Sequence, residues 1–220
     1  MKKTQENLYL LYMIFGVGLV TANAISAKIF DTGCTLFGNP VTLTVGALCY
    51  PITFLVTDII GEIWGKHEAK IAVKFGFISQ IIATLVIIIA RYLPPVDADM
   101  QNSYVALMGQ NWVFVIASLS AFLVSQSWDV FVFHKIRDSY IKKHGSRKGG
   151  RWIWNNGSTI GSQLIDSIIY VLIAFGLGFQ WLFNSEMYGI MVSMIVGQFI
   201  FKAILALLDT PIFYVLTRKE

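Results

Sequence analysis

Apolar residues in this chain fall into six long blocks, separated by short stretches where charged and turn-forming residues collect. The blocks cover residues 8–28, 43–63, 71–92, 112–134, 158–182 and 188–216. An α-helix rises 1.5 Å per residue and needs about 20 mainly apolar residues to cross a bilayer core. Each block therefore predicts one transmembrane helix. The sixth is longer than a crossing requires, and its Asp209-Thr210-Pro211 triplet predicts a tilt or a break there. The connections reach only about 15–20 residues, too short for a second folded unit. The expected architecture is an all-α integral membrane protein, one six-helix domain over residues 1–220.

Composition agrees. The 220 residues are 55% hydrophobic and only 14% charged, with a mean hydropathy of +0.63. Soluble domains carry about 25% charged residues, and a chain of this size could not hide so much apolar surface in one core. Soluble enzymes, nucleic-acid binders and disordered regulators are excluded on this ground. Cys34 and Cys49 are too few for a disulfide framework or a four-ligand zinc site, and are expected to be inert.

The net charge of +4 gains meaning from its distribution. Of 17 lysines and arginines, 14 fall before the first block, between the second and third or just inside the third (Lys74), between the fourth and fifth, or after the sixth. The alternate connections hold Lys28 and Arg91 against Asp31, Asp97, Asp99 and Glu186. The positive-inside rule then predicts six crossings with both termini in the cytoplasm. The basic run from Lys135 to Arg151 reads as a topology signal and a lipid-headgroup contact rather than an RNA-binding patch. Trp112, Trp152, Trp154 and Trp181 lie near block ends, where an aromatic belt is expected. Lys2, Lys3 and the Ala22-Asn23-Ala24 triplet imitate a secretory signal. A retained helix is expected, since cleavage would leave five spans and disturb the charge alternation.

Ionisable groups at bilayer depth mark function by default. Thr57, Asp58 and Glu62 lie in the second block, Ser118, Ser125, Gln126 and Asp129 in the fourth, and Ser158, Thr159, Ser162, Gln163 and Asp166 in the fifth. Gln198, Lys202 and Asp209 lie in the sixth, Asn23 in the first, and Ser79 and Gln80 in the third. Helical spacing puts Ser118, Ser125 and Asp129 on one face, Ser158, Ser162 and Asp166 on another, and Gln198, Lys202 and Asp209 on a third. Such stripes are expected to face inward around a shared cavity. Ser125-Gln126-x-x-Asp129 recurs as Ser162-Gln163-x-x-Asp166, 37 residues later. Asp58, Asp129, Asp166 and Asp209 all fall roughly 7–12 Å below the predicted cytoplasmic interface, at 1.5 Å per residue. Lys202 lies deeper and could neutralise one of them. A layer of carboxylates and amides suits a planar ligand with several N–H donors, because a carboxylate accepts two parallel bonds and an amide both donates and accepts. Tyr50, Phe54, Trp128, Phe133 and Tyr170 could stack on such a ring.

Other polar positions have structural readings. Ser79, Ser118 and Thr159 suit helix–helix hydrogen bonds, and Gly61, Gly157, Gly161 and Gly197 suit close packing. Glu62 can reach the interface, and His134 and His144 lie by a loop. Zinc-protease helices, nucleophile elbows and phosphate loops are absent from the sequence, and no histidine sits among the serines and aspartates to act as a base. An enzyme is not expected, and no metal or cofactor is called for.

Four segments together carry a family resemblance: Tyr50-Pro-x-Thr-Phe-Leu-x-Thr-Asp58; Ser120-Ala-Phe-Leu-x-Ser-Gln-x-x-Asp129-Val-x-x-Phe; Ser158-Thr-x-x-Ser-Gln-x-x-Asp166-Ser; and Lys202-Ala-x-x-Ala-Leu-x-x-Thr-Pro211. In these the chain resembles the queuosine precursor transporters, also called the vitamin uptake transporter group, from about Asn23 to Tyr214. The resemblance implies a six-helix inner-membrane importer of 7-cyano- or 7-aminomethyl-7-deazaguanine, or of queuine. It also implies kinship with the membrane-embedded binding subunits of ATP-driven energy-coupling-factor importers. Carried over residue by residue, it points to Asn23, Asp58, Gln126, Asp129, Gln163, Asp166 and Lys202 as substrate-binding positions. One departure is the Trp154-Asn155-Asn156-Gly157 segment, where a basic residue is expected beside Ser158-Thr159; Arg151 is the nearest. If the chain is an ATP-driven subunit, Ala22-x-x-x-Ser26 is its nearest small-residue docking motif. The expected partners are the bilayer, a small 7-deazaguanine base and, as one option, a second copy in a homodimer.

Overall fold

A computed structural model describes residues 1–144 and 151–217. The basic residues Arg147, Lys148, Arg218 and Lys219 lie outside the described residues. Among the described residues, six helices are long and apolar enough to cross a membrane, as the hydropathy blocks require. In chain order the elements are α1 (Gln5–Ile25), β1 (Ile29–Leu36), β2 (Asn39–Thr44), a 3-10 turn (Val45–Cys49), α2 (Tyr50–Ile63), α3 (Lys66–Tyr92), α4 (Ala98–Met108), α5 (Asn111–His144), α6 (Arg151–Val171) and α7 (Tyr188–Thr217). α6 continues through a π-helical stretch, Leu172–Gly178.

Local chemistry sets the element ends. Thr4 caps α1, its hydroxyl accepting from the Asn7 amide at 3.3 Å. Pro51 stands in the first turn of α2, where its missing N–H leaves no bond unmade. Between α2 and α3 the chain reverses through Trp64 and Gly65, and Gly65 adopts φ +101°, open at low cost only to glycine. The interior splits into two apolar clusters. One joins Phe114, Ala117 and Ala121 of α5 to Tyr170, Phe175, Met191 and Met194. The other joins Leu8, Leu11 and Phe15 of α1 to Val56, Ile59 and Ile60 of α2. Opposite them the exterior is equally apolar: Phe75, Ile78, Ile82, Leu85, Val86 and Ile89 of α3 are all exposed, the surface of a helix whose solvent is lipid.

Four details differ from the hydropathy reading. The helix α7 runs unbroken to Thr217, so the triplet at Asp209 ends no helix. At 34 residues α5 is about 51 Å long, so it extends beyond the hydrocarbon, and much of the basic run up to His144 lies on its last turns. The third and fourth blocks are linked through a short helix, α4. Most consequential, the connection between α1 and α2 is a β-hairpin. It turns at Phe37 and Gly38, both at positive φ (52° and 77°), the two-residue reversal whose twist matches its strands.

The hairpin is docked on α7. Gly189, Ser193 and Gly197 recur every four residues and leave a shallow groove along one face. An added Cβ would meet Asn39 at 2.5 Å from Gly189 and Val41 at 2.5 Å from Gly197. Between them the Ser193 hydroxyl donates to the Leu36 carbonyl at 3.1 Å. The small side chains let backbone approach backbone, as they do between membrane helices. Strand β2 thus lies along α7 and delivers Thr44, and then Tyr50, to the bundle interior. At one end of the bundle the N-terminal ammonium donates to the Leu216 carbonyl, so the first residue and the end of α7 meet there.

Candidate functional site

Lys202 is 1% exposed, midway along an apolar helix. A lysine ammonium cannot sit at that depth without compensation. Three groups supply it. The ammonium donates to Asp166 Oδ2 of α6 at 2.6 Å and to Ser167 Oγ at 3.4 Å. It also lies 4.7 Å from the ring centroid of Tyr50, the first residue of α2, in a cation–π arrangement. The other carboxylate oxygen of Asp166 accepts from Ser125 Oγ of α5 at 3.5 Å. One ion pair thus ties together α2, α5, α6 and α7. The pairing follows from antiparallel geometry. The short aromatic connection around Trp181 folds α7 back along α6, with Gly176 set against Met191, and about three further turns bring Asp166 level with Lys202.

Unpaired polar atoms lie one turn along the helices from members of this cluster. Asp129 follows Ser125 by one turn on α5; it is half-buried, and its Oδ1 has no hydrogen-bond partner among the described residues. Gln198, one turn before Lys202, is 1% exposed, and both atoms of its amide lack partners among the described residues. Gln163 is half-buried on α6, one turn before Ser167, whose hydroxyl donates to the Gln163 carbonyl at 3.0 Å. Tyr170 is buried one turn beyond Asp166, with its hydroxyl against Ser26 and Thr44.

The remaining expected positions are placed elsewhere. Gln126 is exposed: it follows Ser125 by about 100° around the helix, and Ser125 takes the inward place. Asp58 is also exposed on α2, away from the inward layer expected of it. Trp128 is 44% exposed and Phe54 37% exposed. Phe54 stacks on Tyr50 with ring centroids 5.9 Å apart. The side chain of Asp209 lies outside what the structure describes. Ser125, Ser158, Ser162 and Asp166 are buried or half-buried, in keeping with inward stripes on α5 and α6.

Asn23 is buried but belongs to a second polar group. Its amide donates to Gln80 Oε1 of α3 at 3.2 Å and to the Leu19 carbonyl at 3.3 Å. Gln80 donates to Thr84 Oγ1 at 3.3 Å, and that hydroxyl lies 3.3 Å from Asn111 Oδ1 at the start of α5. The small pair Ala22 and Ser26 is buried too. A Cβ on Gly46 would come within 2.2 Å of Ser26 Oγ and 2.3 Å of the Ala22 carbonyl. The motif seats the 3-10 turn after the hairpin and is not open to a coupling protein. Sequence reasoning passed over Ser167, which spacing alone could have found beside Asp166, and left Gln198 out of the binding positions although it shares the Lys202 stripe.

Residues 44–216 match the family described as "Putative vitamin uptake transporter". The chain belongs to this family. The matched segment begins at Thr44 and contains the whole Lys202 cluster, whereas Asn23 precedes it. A Bacillus subtilis (strain 168) protein named "Probable queuosine precursor transporter" is 32% identical over 166 residues, covering 75% of this chain and 68% of that protein. No solved structure matches the chain. With six apolar helices among the described residues and membership of a transporter family, the protein is a multi-pass membrane protein.

Proposed function

We propose that this vitamin uptake transporter imports free 7-deazaguanine bases: 7-cyano- or 7-aminomethyl-7-deazaguanine, or queuine. The observation that carries the reading is the buried Lys202–Asp166 pair over Tyr50, beside the unpartnered Asp129 oxygen. Asp129 accepts the N1–H and 2-amino group of the base, two parallel donors that a carboxylate suits. Gln163 bonds the ring carbonyl, and Tyr50 offers a face for stacking. Lys202 balances the second carboxylate, Asp166, and releases it when the base enters. The relative named as a queuosine precursor transporter supports the substrate class. The lysine and arginine distribution supports cytoplasmic termini.

The test is uptake of labelled base by cells lacking their own importer. Import by the wild-type chain is expected, and its loss in Asp129→Asn, Asp166→Asn and Lys202→Ala at normal expression. Unchanged uptake in all three would sink the site assignment. Uptake into liposomes holding the purified chain alone is expected as well; a requirement for an added ATPase would assign the chain to the energy-coupling-factor class instead.

A further inference from the structure

Gln198 has no role in the scheme above, yet it is among the most completely buried polar side chains in the protein. Its amide oxygen and nitrogen are both unpartnered among the described residues. A glutamine kept to bond neighbouring helices would have found a bond, as Gln80 does with Asn23 and Thr84. Its position is fixed from three sides. On α7 it precedes Lys202 by one turn and shares its face. The α6–α7 register, set by the Gly176–Met191 contact and the Asp166–Lys202 pair, puts it level with Tyr170. The preceding residue, Gly197, is pressed against Val41 of the hairpin. The amide therefore lies inside the bundle about one helical turn, roughly 5.4 Å, from the ion pair, with Asp129 about one turn from the pair on the other side, so that the two flank the space a fused two-ring base would take.

We infer that Gln198 is a specificity-determining residue that reads the N3 and N9–H edge of the bound base. This inference rests on the base-import reading. An amide presents one donor beside one acceptor and so recognises an acceptor beside a donor. A 7-deazaguanine has three such pairs. The ring carbonyl stands beside N1–H and N3 beside the 2-amino group, and both of these donors are committed to the carboxylate. The third pairs N3 with N9–H. Gln198 Nε2 donates to N3 and its Oε1 accepts from N9–H. A nucleoside carries its sugar on N9 and has no proton there, so this contact selects the free base against the nucleoside.

The experiment measures binding of 7-cyano-7-deazaguanine and of its 9-methyl derivative to the purified full-length chain. Wild-type protein is expected to favour the free base by about tenfold or more, because an analogue lacking the donor leaves a buried acceptor unpaired. In Gln198→Met the free base is expected to weaken by about tenfold and the 9-methyl derivative by clearly less, so that the two affinities converge. Equal binding of the two ligands by wild-type protein overturns the inference whether or not the variant folds. A Gln198→Met protein that keeps the wild-type ratio, or weakens both ligands equally, also overturns it. Wild-type protein that binds no 7-deazaguanine overturns the base-import reading, and this assignment with it.

Discussion

Two buried polar groups cross this bundle, and they are built differently. The Asn23, Gln80, Thr84 and Asn111 group joins α1, α3 and α5, is electrically neutral, and passes hydrogen bonds from one amide to the next. Within it, Asn111 Nδ2 alone lacks a partner among the described residues. The Lys202 group joins α2, α5, α6 and α7, carries full charges, and leaves a carboxylate oxygen and a whole amide without partners among the described residues. Neutral chains of amides and hydroxyls give modest helix–helix adhesion in membranes. Buried charge with unmet hydrogen-bonding capacity destabilises the empty protein and is retained where a ligand uses it. The contrast supports the proposed site at the second group, and on that reading the buried Asn23, polar and deep as it is, is left a packing role.

The largest effect should come from Lys202→Met. It leaves Asp166 facing the bundle interior without its cation, and one-sided removal of a buried pair costs about 3–5 kcal/mol. The lower end is expected, since the Asp166 side chain keeps 24% exposure. Uptake should be abolished and thermal unfolding of the detergent-solubilised protein should shift down. Lys202→Met combined with Asp166→Leu should recover the stability and not the uptake. Recovery of both would mean that the pair is structural, like the neutral chain, and the contrast would fail.

Next comes Asp129→Asn. The substitution keeps the shape and removes a charge whose Oδ1 has no partner among the described residues, so unfolding should barely move. Uptake should fall by about one to two orders of magnitude, as expected for a lost charge-assisted bond of about 1.5–3 kcal/mol. A stability loss with retained uptake would show the reverse of the role assigned here. On the other side, Gln80→Leu should act oppositely. It removes two hydrogen bonds and leaves Asn23 partly unsatisfied, at about 1–2 kcal/mol, while uptake per folded molecule stays within about twofold. A Gln80→Leu protein that folds normally and cannot transport would move the functional boundary to include Asn23.

The six spans were legible because a long apolar run is a local signal that needs no partner to interpret. The connecting structure was not. The stretch from Ile29 to Thr44 has the β-branched residues and the Phe37-Gly38 turn of a hairpin, but its stability depends on a groove of small residues about 150 positions away on α7. Gly197 read as a packing glycine; that its partner is a strand could not be read from α7 alone. In the site, the helical stripes were visible from spacing, and so was a role for Lys202 in neutralising a carboxylate. Which carboxylate it meets depends on the order of helices around the bundle, and spacing along one helix does not contain it.

The Ser-Gln-x-x-Asp echo shows the same limit and supplies the smallest predicted effect. The two copies are identical at these positions, so sequence gives Gln126 and Gln163 equal standing. In the fold the copies lie on antiparallel helices with different neighbours, and the symmetry breaks: Gln163 is half-buried, whereas Gln126 is exposed. Gln126→Ala should therefore leave both unfolding and uptake within error of wild type, since substitutions at exposed positions away from special features stay within about 0.5 kcal/mol. Gln163→Ala should lower uptake measurably in the same assay. A marked loss in Gln126→Ala would mean that α5 turns its Gln126 face inward at some stage of transport, which would extend the charged group to a second state of the protein and leave the neutral one unchanged.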